Sequence, residues 1–151
     1  MIKKTLSPLG FAALFILGAS ATAHSDSLPG LVAQPLGVNA TCVNRNTIST
    51  GDNAIYNNCG GPIAVWAPMQ SRTAGNFRFY ATAPAGEGAS CTVYGKDFSN
   101  NPVFVLGPTG INGRTQVGGT AFGAVNGSTT VFYKCTLING GRLQAIDSVQ
   151  F

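Results

Sequence analysis

Turn-forming residues punctuate this chain so densely that short strands, and not helices, are the elements it can form. Gly51-Asp52, Gly60-Gly61-Pro62, Gly86, Gly88, Asn101-Pro102, Gly107-Pro108, Asn112-Gly113, Gly118-Gly119, Asn126-Gly127 and Asn139-Gly140-Gly141 interrupt it at short intervals. The segments between are rich in Val, Ile, Thr and aromatic residues, and none has helical periodicity. Strands are expected over 38–43, 54–57, 63–67, 76–83, 89–95, 103–106, 115–117, 120–125, 129–138 and 142–149. The last two, joined by Asn139-Gly140-Gly141, read as the clearest hairpin. Many short strands in one chain imply an all-β fold, an antiparallel β-sandwich of the Ig-like or jelly-roll-like kind. With 44% hydrophobic and 9% charged residues, the chain is too apolar for disorder. Nine basic against five acidic residues give a net charge of +4 without a basic run, so nucleic acid is excluded as a partner.

Residues 1–23 have the make-up of a secretory signal peptide. Lys3 and Lys4 form its positive start, residues 11–17 its apolar middle, and Ala21-Thr22-Ala23 presents small residues for cleavage. The apolar stretch is well short of the ~20 residues of a spanning helix, and no membrane span is expected after cleavage. The two-lysine start suits a bacterial export signal, which places the mature chain in the periplasm or outside the cell. Residues 24–37 read as a lead-in rich in Leu, Pro and Gly, and 38–151 as one β-sandwich domain.

Cys42, Cys59, Cys91 and Cys135 all follow the signal segment, and an even number in an oxidising compartment implies two disulfides. Four cysteines allow three pairings. Strand alternation puts Cys135 with Val131, Tyr133 and Leu137 on one face of its strand and Cys91 with Val93 on one face of its own, so that both cysteines read as core-facing, which suits Cys91–Cys135. Cys42 and Cys59 then bracket a loop rich in Asn, Thr and Gly. No C-x-x-C spacing occurs, and His24 is the only histidine, so no metal site is expected.

Ile55-Tyr56-Asn57-Asn58, Ile63-Ala64-Val65-Trp66-Ala67-Pro68, Cys91-Thr92-Val93-Tyr94 and Tyr133-Lys134-Cys135-Thr136-Leu137, followed by a turn and a last strand, form a series of strand fragments around cysteines. In this the chain resembles a loose group of small exported bacterial disulfide-bonded β-proteins of unassigned function. The resemblance covers most of the chain after the signal segment. Members often carry Cys-Pro where this chain has Ala67-Pro68. The resemblance implies a disulfide-bonded antiparallel β-sandwich and brings no catalytic residues with it.

Catalytic chemistry finds few partners here, and the chain is not expected to be an enzyme or to hold a cofactor. A mature N-terminal His24 could bind copper as in lytic polysaccharide monooxygenases, but that site needs a second histidine. Asp52, Glu87 and Asp97 lie beside turn residues, where carboxylates are usually only solvated. Asp147 falls in phase with Leu143, Ala145, Val149 and Phe151 on an otherwise apolar face. A bulge that flips the register, an edge position, or a buried pair with an arginine would each account for it. With one imidazole at a terminus, no nucleophile has a positioned base. Phe151 after an in-phase Val149 is similar to the ending of outer-membrane barrels, but the strands are short for that architecture. No donor-strand extension of a pilin subunit is evident in residues 24–37.

The aromatic residues carry the functional expectation. Alternation sets Phe77, Phe79 and Ala81 against Arg78, Tyr80 and Thr82, Ile63 and Val65 against Trp66, and Cys91 and Val93 against Tyr94. If the first sets are core, then Trp66, Tyr80 and Tyr94 point outward as a ligand-binding platform. The expected function is a secreted, non-catalytic binding module of the bacterial envelope or extracellular space, its ligand a glycan or a protein surface. A small secreted inhibitor or toxin-like effector, or a structural envelope or fimbrial component, is the alternative.

Overall fold

A computed structural model describes residues 25–30, 33–37, 40–45, 53–69, 74–126 and 129–151. The signal segment 1–23, His24 and Asp52 lie outside the described residues. The strands are β1 (Ser25–Pro29), β2 (Gln34–Leu36), β3 (Val43–Arg45), β4 (Ile55–Asn57), β5 (Ile63–Pro68), β6 (Gly75–Ala83) and β7 (Ala89–Lys96). They continue with β8 (Pro102–Ile111), β9 (Gly113–Gln116), β10 (Gly123–Val125), β11 (Thr130–Leu137), β12 (Arg142–Leu143) and β13 (Ala145–Gln150). Among the described residues they form two five-stranded sheets and a three-stranded one. The first runs β1-β13-β6-β10, with β9 also on β6; the second runs β2-β5-β11-β7-β8; the small third runs β12-β4-β3. Every pairing is antiparallel.

The two large sheets pack face to face, as a sandwich requires. Phe77, Phe79, Ala81 and Ala83 of β6 meet Ile63, Val65 and Ala67 of β5, Cys91 and Val93 of β7, and Val131, Tyr133, Cys135 and Leu137 of β11 in one buried core. These are the residues that strand alternation assigns to the interior. Phe79 stacks on Phe104 of β8 and meets Tyr133 edge-on, so rings of both sheets interlock. The Tyr133 hydroxyl donates to the backbone carbonyl of Asp147 at 2.6 Å, tying the sheets by a buried hydrogen bond. The Phe104 ring lies over two glycines. A Cβ at Gly95, its partner on β7, would stand 2.2 Å from the ring, and one at Gly123 of β10 would stand 2.5 Å from it. Glycine at both positions lets a large ring fill the gap between the sheets.

Both disulfides form, the inner one as the alternation suggests and the outer one between the two remaining cysteines. Cys91 and Cys135 face each other directly across β7 and β11, with Cα atoms 4.1 Å apart. Cys42 and Cys59, with Cα atoms 4.9 Å apart, close the outer end of the β3–β4 ribbon.

Three expectations need correction. The segment after Asn139-Gly140-Gly141 does not fold back on β11. β11 pairs with β5 and β7, whereas β12 pairs with β4, and β13 with β6 and β1. The turn is a crossover between sheets, because β11 already has a partner on each edge and β4 captures the outgoing chain through Gly140 N–H and Gly141 C=O bonds to Asn57. The lead-in 24–37 is no appendage either: β1 adds an edge strand to the first sheet and β2 one to the second. The span 38–43 is not a strand. Ala40–Cys42 is a 3-10 turn and the strand begins only at Val43; residues 38 and 39 lie outside the described residues.

Candidate functional site

The outer face of the second sheet follows from its register. Residues directly opposite on neighbouring antiparallel strands point to the same side. Phe132 of β11 is opposite Pro68 of β5 on one side and Tyr94 of β7 on the other. Tyr94 is in turn opposite Val105 of β8. Pro68, Phe132, Tyr94 and Val105 thus form a row across four strands, a span of about 14 Å at the usual strand spacing. The adjacent row holds Gln34 of β2, Trp66 of β5, Lys134 of β11 and Thr92 of β7. Trp66 is 37% exposed, the largest exposed ring of the face, and Val105 is half exposed. The Tyr94 and Phe132 rings stack with centroids 5.2 Å apart, and the Lys96 ammonium lies 5.9 Å from the Phe132 centroid.

Polar atoms border this apolar strip. Lys134 is exposed and stands beside Trp66. Gln34 is held at the β2 edge by Arg45, whose guanidinium donates to its Oε1 at 2.8 Å. The face thus combines exposed rings with hydrogen-bonding groups at its rim. Among the described residues no group of three or more His, Cys, Asp or Glu side chains could hold a metal ion. No described helix is long and apolar enough to cross a membrane.

The platform of three rings expected from the sequence is divided between two faces. Trp66 and Tyr94 share the outer face of the second sheet, but Tyr80 sits on β6, in the middle of the first. Alternation within a strand says whether a ring points in or out, and not to which sheet the strand belongs. Tyr80 is also occupied. The Arg114 guanidinium lies 3.8 Å from its ring centroid, and its hydroxyl is 3.4 Å from Gln116 Oε1. Phe132 takes its place beside Trp66 and Tyr94. Its signal was present in the sequence, since it is out of phase with Val131 and Tyr133, but its proximity to Trp66 and Tyr94 depends on strand order.

Asp147 belongs to the Tyr80 face. The phase slips where Gln144 separates β12 from β13, so that Leu143 and Ile146 are both buried and Asp147 points outward beside Tyr80. Arg114 covers it with two hydrogen bonds, 3.0 Å from Nε and 2.7 Å from Nη2. This pair holds the Arg114 guanidinium above its ordinary value, chiefly through the hydrogen bond to Asp147. The register slip and the arginine pair both occur, and Asp147 is buried beneath a half-exposed Arg114.

No protein-family model and no curated protein matches the sequence. Solved structures are similar to it to differing degrees. The C-terminal family 6 carbohydrate-binding module of a marine laminarinase from Zobellia galactanivorans superposes with a TM-score of 0.52 at 14% identity, covering 84% of this chain and 100% of the module. A carbohydrate-binding module of a Cellvibrio mixtus lichenase, solved with cellotriose, gives 0.49 at 13% identity over 83% of this chain and 97% of its own. A Podospora anserina mannanase that carries a family 35 module gives 0.46 at 14% identity; the match covers 83% of this chain but only 27% of the mannanase. The likeness to the laminarinase module is one of fold: a β-sandwich.

Proposed function

We propose that the chain is a secreted, non-catalytic carbohydrate-binding module and that the outer face of the second sheet is its binding surface. The row of apolar residues led by Trp66, Phe132 and Tyr94 carries this reading. Rigid rings on a flat sheet offer sugar faces a large apolar contact at small cost in rotamer entropy. Thr92, Lys134 and the Tyr94 hydroxyl stand near them to meet sugar hydroxyls. The fold shared with the laminarinase module supports the same reading. Export rests on the signal segment 1–23 and agrees with the two disulfides.

Trp66→Ala separates binding from folding. Trp66 is exposed while its neighbours Val65 and Ala67 are buried, so the substitution removes surface and leaves the core intact. Affinity for an oligosaccharide ligand is expected to fall by about 1–3 kcal/mol, with thermal unfolding nearly unchanged. Titration calorimetry and a thermal melt of the same sample check both parts. A collapse of the melting temperature, or unchanged affinity, contradicts the assignment.

A further inference from the structure

The charge of the aromatic face deepens the reading just given, on which this inference rests. The face carries two ammonium groups and no carboxylate among its described residues. Lys134 is exposed opposite Trp66, and Lys96 overlies the Phe132 ring. Along β2, β5, β11, β7 and β8 the outward positions are otherwise neutral, with Gln34, Ala64, Thr92, Thr130 and Thr136 among them. Two of the described acidic side chains are held by arginines. Asp147 is bound by Arg114 on the opposite sheet, and Glu87 Oε2 lies 2.7 Å from Arg142 Nε. Asp97 accepts from Asn101 N–H at 2.8 Å and Asn101 Nδ2 at 3.2 Å in the β7–β8 turn; these neutral donors keep its carboxylate charged beside Lys96, so the unopposed charge of the face rests chiefly on Lys134. Lys96 donates to the neutral Asn100 Oδ1 at 2.8 Å, which orients its ammonium without cancelling the charge. Lys134 has no ion-pair partner among the described residues.

We infer that this face selects an anionic polysaccharide, whose sugar rings lie on Trp66, Phe132 and Tyr94 and whose carboxylate or sulfate groups meet Lys96 and Lys134. A neutral glycan would use the rings alone. An acidic one gains attraction from both ammonium groups, and that attraction is screened by salt.

The test uses matched pairs that differ in charge: polygalacturonate against its fully methyl-esterified form for carboxylates, and dextran sulfate against dextran for sulfates, with laminarin as a further neutral probe. The acidic member of at least one pair is expected to bind about tenfold more tightly at low salt, the advantage shrinking as salt rises. Which pair responds identifies the anion. The double variant K96M/K134M keeps the aliphatic stems and is expected to lose about fivefold in affinity for the acidic probe. Trp66→Ala is expected to weaken the same complex. Equal binding of charged and neutral members, with no effect of the lysine changes, overturns the charge preference and leaves the carbohydrate reading standing. Acidic binding that survives Trp66→Ala is nonspecific ion attraction and overturns the inference as well. Failure to bind any of the probes counts against the carbohydrate reading itself and takes this inference with it.

Discussion

Asn57→Ala is expected to lower the free energy of unfolding by about 3–5 kcal/mol, one of the largest losses a single side chain can cause in this fold. Asn57 is fully buried at the end of β4. Its amide nitrogen donates to the carbonyls of Gly61 at 2.7 Å and Leu137 at 2.8 Å, and its Oδ1 accepts from Cys59 N–H at 2.9 Å. One side chain therefore satisfies three backbone groups on two segments: Cys59, which carries the outer disulfide, and Gly61 in the loop after β4, and Leu137 at the end of β11. Removing it leaves the buried Leu137 carbonyl and two partly buried groups without partners, at about 1–3 kcal/mol for the buried one and less for the others, which water can reach. Its backbone also binds the crossover at Gly140 and Gly141, so the damage falls where the chain passes between sheets. Asn57→Asp is expected to be as harmful, because it retains the acceptor but turns both donors into oxygen facing oxygen. Urea unfolding checks both variants; a loss below about 1 kcal/mol for either would show that the crossover does not depend on this residue.

Removing the inner disulfide is expected to cost nearly as much. Cys91 and Cys135 are separated by 44 residues, and opening a loop of that length restores chain entropy worth about 4 kcal/mol to the unfolded state. Cys42 and Cys59 are separated by 17 residues, for which the same relation gives about 3 kcal/mol. C91A/C135A also thins a packed core, since both sulfurs are buried between the sheets, whereas the outer pair lies at the edge of a short ribbon. The inner double variant should therefore be the less stable of the two. Guanidinium unfolding of both double variants decides the order, and the reverse order contradicts it.

The interior of this sandwich was legible because strand period is local. Phe77, Phe79 and Ala81, or Val131, Tyr133, Cys135 and Leu137, can be assigned to one face without knowing what they pack against. The Cys91–Cys135 pairing followed from the same phase argument, and Cys42–Cys59 was what remained. Strand order is not local, and that is where expectation and structure part. Asn139-Gly140-Gly141 has the residues of a hairpin turn, yet β5 and β7 already occupy both edges of β11, so the chain must leave the sheet. The lead-in has no strong strand signal, since Pro29, Gly30 and Pro35 interrupt it. Its β1 and β2 exist because two sheet edges need partners, and proline is tolerated on edge strands. The candidate site shows the same division. Outward orientation of Trp66, Tyr80 and Tyr94 was readable from phase, but the company each keeps was not. Strand order gives Trp66 and Tyr94 the neighbour Phe132, and gives Tyr80 to Arg114 and Asp147 on the opposite sheet.

Trp66 is the only tryptophan in the chain, so fluorescence excited beyond the tyrosine absorption band reports on the proposed binding surface. Its emission, followed while the folded protein is titrated with the polysaccharides named above, tests directly whether a glycan occupies the outer face of the second sheet. A saturable change in intensity or wavelength is expected with at least one of them, absent with a monosaccharide at equal sugar concentration and reduced in K96M/K134M. Polysaccharide binding seen by calorimetry while the Trp66 emission stays constant would place the site elsewhere on the molecule and contradict the account.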